Sequence, residues 1–141
     1  MSWAIGPQHA AAQLAATIAF ADGAAGPSVI RFYTTGRPAT GADPGGTHQL
    51  QITMAKPCAT LSGGVLTLHP ADPEGALVLS SGIPRWARWE RSDALLVGDC
   101  KVTDMAGDGQ LKLAGGVTPP GDNSPQLYAG GIALLGAVEL T

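Results

Sequence analysis

Short apolar runs of alternating parity, cut apart by glycine- and proline-rich breaks, fill the last two-thirds of this chain. Leu50-Gln51-Ile52-Thr53-Met54, Leu111-Lys112-Leu113 and the run from Ile132 to Leu140 each set large apolar residues on one parity. A half-buried antiparallel strand requires that pattern, because successive side chains point to opposite faces of a sheet. Several such strands in so short a chain specify a mainly β fold, a jelly-roll-like antiparallel β-sandwich.

The strand segments follow in order. Ser28–Thr35 directs Ile30 and Phe32 to one face and Arg31 and Tyr33 to the other. Gly36–Thr47, with Pro38, Pro44 and several glycines, is a loop. His48–Lys56, Val65–His69, Ala76–Ser80, Pro84–Arg91, Leu95–Val102, Gln110–Leu113 and about Gly130–Thr141 complete a set of eight. Ser92-Asp93-Ala94 reads as a hairpin turn, and Val117–Pro125 as an exposed loop. The expected core comprises Ile30, Phe32, Leu50, Ile52, Leu66, Leu68, Leu77, Leu79, Val102, Leu111, Leu113, Ile132, Leu134 and Val138. A helix is expected only at residues 7–22. Pro7 suits a first turn, alanine has high propensity, Gly23 can end the helix, and Leu14, Ile18 and Ala21 form its apolar stripe. The chain thus divides into an N-terminal arm and helix, residues 1–27, and one β-sandwich domain, residues 28–141.

Charge narrows the function. Charged residues are 13% of the 141, about half of what an ordinary soluble domain carries, which suits a subunit that lives in an assembly. The net charge is −3, and the basic residues are scattered apart from Arg85, Arg88 and Arg91, which strand geometry splits between two faces. No basic stripe exists for phosphate neutralisation, so nucleic acid is not an expected partner. The apolar stretch Ala10 to Ala21 has no basic residue before it and is too short to span a bilayer. It reads as neither a signal peptide nor a membrane anchor, and synthesis in the cytoplasm is expected.

Sites of chemistry are sparse. His9, His48 and His69 lie far apart in sequence, with no His-x-His or His-x-x-x-His spacing, so no metal is expected. Asp99, Asp104 and Asp108 flank the Met105-Ala106-Gly107 turn without the alternating oxygen ligands of a calcium loop; turn formation explains Asp104 and Asp108 better. There is no nucleophile elbow and no phosphate loop. An enzyme is not expected, and no cofactor. Cys58 and Cys100 lack a metal-binding neighbour; a disulfide between them needs their strands to lie together, and two reduced thiols are the expected state. Trp86-Ala87-Arg88-Trp89 is the most distinctive segment. Alternation sets Trp86 with Arg88 and Glu90, and Trp89 with Arg85, Ala87 and Arg91. Exposed Trp–Arg pairs make interface hot spots or sugar platforms, whereas one Trp in the core and one under arginine stems would be purely structural.

The order of these segments resembles that of small phage structural proteins. Ile30-Arg31-Phe32-Tyr33-Thr34-Thr35-Gly36-Arg37-Pro38-Ala39 is followed by the Trp86–Arg88 strand, the Ser92-Asp93 turn and Gly98-Asp99-Cys100-Lys101-Val102. Gly107–Leu113 and Gly130–Thr141 close the series. Over residues 28–141 the chain is most similar to the jelly-roll capsid cement (decoration) proteins, of the kind found on a Bordetella phage. The resemblance implies a non-enzymatic virion protein on the outer capsid surface, pairing as a homodimer and tying together capsomers of the major capsid protein. A phage tail or other virion component, or a carbohydrate-binding module using Trp86 or Trp89, are the alternatives. The expected partner contacts are Trp3, Arg85, Trp89 and Arg91. Trp3 precedes the helix where no core needs it, so Met1–Ala25 is expected to act as a contact arm.

Overall fold

The computed structural model describes residues 4–136. Its helix, α1 (Pro7–Ala21), starts with Pro7 in its first turn and ends where the Asp22 and Gly23 amides donate to the Ile18 and Phe20 carbonyls at 3.0 and 3.1 Å. Ala21 is fully buried, and Leu14 and Ile18 pack beside it against the core. The stripe is narrow because half of the remaining helix positions are alanine, so α1 seals the sheet with little side-chain bulk.

Eight strands follow: β1 (Val29–Tyr33), β2 (Leu50–Ser62), β3 (Val65–Pro70), β4 (Ala76–Leu77), β5 (Trp86–Glu90), β6 (Leu96–Thr103), β7 (Leu111–Ala114) and β8 (Ile132–Leu135). They hydrogen-bond in the order β3-β2-β1-β5-β6-β7-β8-β4. The sheet curls so that its two ends approach, and the fold is mainly β and sandwich-like with one short helix. Each of the eight expected segments contains a strand, but β4 is cut to two residues, and residues 137–141 of the last segment lie outside the described residues. β2 runs further than expected, through a register shift between Met54 and Ala59 that contains the cis Lys56–Pro57 bond.

One pairing departs from the antiparallel expectation. β6 and β7 run parallel, with Val102 opposite Leu111 and Thr103 opposite Lys112. Parallel neighbours usually need a crossover of a dozen residues or more, yet only residues 104–110 intervene. The tight return is held by the Gly109 amide on Thr103 Oγ1 at 3.0 Å and the Lys101 amide on Gln110 Oε1 at 2.8 Å. A Cβ on Gly109 would come within 2.9 Å of backbone atoms of Thr103, Lys101 and Leu111, so glycine is required there by space.

The core holds Ile30, Phe32, Leu50, Ile52, Leu66, Leu68, Val102, Leu111 and Leu113, all buried as alternation demands. Four expected core residues are not in it. Leu77, Leu79, Ile132 and Leu134 are 42–55% exposed, and their neighbours Val78 and Ala133 take the inward positions. Both parities of Ala76–Leu79 and Ile132–Leu135 are apolar, so the sequence carries no contrast to say which parity faces inward. Val138 lies outside the described residues.

Candidate interaction surface

The Trp–Arg strand occupies the middle of the sheet. β5 lies between β1 and β6, with Tyr33 opposite Trp86, Arg31 opposite Arg88 and Ile30 opposite Trp89. Ala87 and Trp89 face the main core, and the Trp89 indole N–H donates to the buried Ser28 hydroxyl at 3.0 Å. Trp86 and Arg88 face the other way, as their parity predicts. Burial of Trp89 at 4% exposure and Trp86 at 0% corrects the expectation that Trp89 contacts a partner, and leaves neither ring a free face for a sugar.

A second, polar packing layer covers Trp86. Tyr33 stacks on it with ring centres 4.5 Å apart, and the Arg88 guanidinium lies 5.2 Å from the Trp86 ring centre. Arg88 and Asp99 form a bidentate pair at 2.8 and 3.1 Å, with the Asp99 side chain wholly buried. The loop between β1 and β2 closes over them. Gly41 donates its amide to Asp99, Arg88 donates to the Ala42 carbonyl, and Arg37 donates to the Asp99 carbonyl. Gly41 has φ +80°, a conformation that costs glycine little and side-chain-bearing residues more. Burial pushes the Asp99 pKa up, but the Arg88 hydrogen bonds, the Gly41 amide and the arginine charges outweigh it and hold the carboxyl below its ordinary value. Arg31 sits opposite Arg88, a like-charge pairing that Glu90 and Gln51 relieve by accepting from Arg31 at 3.0 and 2.9 Å.

The other expected contacts have separate fates. Arg85 is exposed in part and forms a bidentate pair with Asp122 at 2.7 and 3.0 Å, whose hydrogen bonds hold the Asp122 pKa down at about 2. Arg91 clamps Asp93 within the hairpin turn and covers the Phe20 ring at 4.9 Å. Both arginines are thus occupied within the domain. Trp3 lies outside the described residues. Cys58 and Cys100 are free thiols. Burial, helped by the Asp22 carboxylate, pushes Cys58 up to about 12, and burial pushes Cys100 up to about 11. Among the described residues no three His, Cys, Asp or Glu side chains come together to hold a metal ion, and no helix is long and apolar enough to cross a membrane.

A surface not anticipated from the sequence lies at the seam where the curled sheet nearly closes. β8 and the short β4 pair through Ala133 with Ala76 and Ile132 with Leu77. Their outward residues, Leu77, Leu79, Ile132 and Leu134, form an aliphatic strip. Beside the strip, between β2 and the β4–β8 pair, runs a groove of about 440 Å³. Leu77, Leu79, Leu134 and Ile52 supply apolar walls, and His48 and Asp72 polar ends. Burial and the Arg31 charge lower the His48 pKa, so the imidazole is neutral at pH 7. The groove spans a gap in the backbone ladder. The Gln49 carbonyl accepts from Leu79 at 2.8 Å and the Thr53 carbonyl accepts from Ala71 at 2.9 Å, both on the side of β2 away from β1. The alternation breaks at Gln49, whose amide donates to the Phe32 carbonyl of β1 at 2.7 Å, but from Thr53 strand groups alternate with period two, so Gln51 turns its N–H and C=O away from β1, into the groove that it lines.

No family model matches the chain, and no curated protein or solved structure matches it. The functional reading therefore rests on the residues and their geometry.

Proposed function

We propose that this chain is a non-enzymatic virion structural protein, a capsid cement or decoration subunit that binds the assembled head and bridges capsomers of the major capsid protein. The observation that carries the reading is the aliphatic strip of Leu77, Leu79, Ile132 and Leu134 on two adjacent strands. Contiguous apolar surface of this kind characterises protein contact sites. The low charge of the chain and the order of its strand segments support the same reading. A protein that binds the assembled shell and not free subunits stabilises the shell by linkage, in proportion to the free-energy difference between those two states. Pairing of two copies would present two such strips to neighbouring capsomers.

The test is cryo-microscopy of purified phage heads incubated with the recombinant protein. Density on the head exterior between capsomers, and heads that survive a higher temperature, are the expected results. Density confined to tails would make it another virion component. No binding to heads or tails would overturn the virion reading altogether. Removing residues 1–6 in the same assay tests the arm: unchanged binding and unchanged oligomer mass would leave Trp3 no contact role.

A further inference from the structure

We propose that the seam groove is a docking site for an extended segment of a protein partner, added as a strand against Gln51 of β2, with apolar residues at alternate positions and a basic residue at the Asp72 end. This inference rests on the reading above and names the chemistry of the partner's contact. Three observations carry it. By strand alternation Gln51 directs a backbone donor and acceptor into the groove, while the carbonyls of residues 49 and 53 are already bonded across the seam, so a strand edge one position long is left to pair. Strand addition at such an edge takes its affinity from main-chain hydrogen bonds and its specificity from pockets for alternate side chains. Leu77, Leu79 and Leu134 are large, exposed and grouped along the groove, as a wall for those alternate side chains requires.

Charge decides between occupants. Asp72 is the acidic residue lining the groove, Glu74 follows two residues on, and no lysine or arginine lines it. The Asp72 Oδ1 atom holds the Glu74 amide at 2.9 Å, which fixes the loop and its carboxylate at the groove's end. A partner strand carrying a cation complements that end, whereas an acidic segment is repelled. His48 is neutral at pH 7 and presents no competing positive charge.

Two model peptides test this, acetyl-LKLKL-amide and acetyl-LELEL-amide, titrated into the labelled full chain and followed by NMR. The lysine peptide should shift the Gln51 amide and the Leu77 and Leu134 methyl signals saturably, and should slow exchange of the Gln51 amide proton. The glutamate peptide should bind about two- to fivefold more weakly, the scale of one partly exposed ion pair. D72N should erase that difference, and L77A, which removes apolar wall without adding charge, should weaken both peptides. Absence of saturable shifts at Gln51, or equal binding of the two peptides to the wild-type chain, overturns the proposal. So does sedimentation showing a dimer that L77D dissociates, since the sister subunit would then fill the seam. The head-binding assay separates this inference from the reading beneath it. If wild type and L77A bind heads equally, the groove proposal fails and the cement reading stands; if neither binds heads, the reading fails whatever the peptides do.

Discussion

The centre of the sheet and its seam use alternation in opposite ways. In β1, β5 and β6 both faces are covered: Ile30, Phe32, Ala87 and Trp89 point into the apolar core, and Tyr33, Trp86, Arg88 and Asp99 point into a polar layer roofed by the loop after β1. At the seam, β8 and the segment of β4 with the two residues after it bury the smaller Val78 and Ala133 and turn four aliphatic side chains outward. The first region spends its large residues on internal packing, the second on surface. Residues in the first should therefore control stability, and those in the second should control association.

The largest effect should come from breaking the buried ion pair. Arg88→Ala leaves the Asp99 carboxylate buried without its charge partner and removes the bond to Ala42 that anchors the loop. Loss of one member of a buried pair costs about 3–5 kcal/mol, to be read from the urea midpoint at constant m. Phe32→Ala, on the opposite face of the neighbouring strand, should cost a similar roughly 3–5 kcal/mol through a cavity. A double variant whose losses add would show that the two faces are energetically independent; strong coupling would show that the loop layer and the core form one unit.

An intermediate effect should follow acid. The Asp99 carboxyl is held below its ordinary value in the folded chain, so the unfolded state binds its proton first as pH falls. Its stabilisation is complete above the unfolded pKa, near pH 4, and is lost as pH drops through the folded value. Asp122, at about 2, acts in the same direction from the surface. Thermal unfolding should fall slightly from pH 7 to about 5, because the lowered His48 pKa lets the unfolded chain bind that proton first, and fall steeply below about 4. The Asp99→Asn chain should start lower and fall less steeply. An acid profile unchanged by that substitution would remove Asp99 from the account.

Legibility divides along the same line. The sequence pattern placed β1, β3, β5 and the β5–β6 hairpin well, because Ile30 against Arg31 and Leu66 against Thr67 give strong parity contrast. It also split the Trp–Arg strand between faces correctly. It could not say that the polar face would be roofed, since the bonds from Gly41 and Ala42 to Asp99 and Arg88 join residues far apart in the chain. Trp89 is a different case: Arg85 and Arg91 share its parity and mark that face as polar, yet both lie just outside the strand, and Trp89 between them lies in the core. The parallel β6–β7 pairing was equally hidden, because it depends on Thr103 and Gln110 closing a short return. The seam residues were misassigned for a different reason: where both parities are apolar, hydrophobicity alone cannot choose a face, and tertiary closure chooses it.

The smallest effect on stability separates the two regions most cleanly. Leu77→Lys and Leu134→Lys replace side chains that are 54% and 42% exposed, so little apolar area returns to water and no buried partner is left unsatisfied. Each should change the unfolding free energy by less than about 0.5 kcal/mol, the ordinary range for surface substitutions. Lysine also brings a charge to a groove whose lining charge is that of Asp72, which disfavours a cationic strand there. Both variants should therefore unfold like wild type by urea titration yet lose peptide and head binding. A loss of more than about 2 kcal/mol, the scale of a core truncation, would mean that these side chains belong to the core after all. The contrast between the sheet's centre and its seam would then collapse.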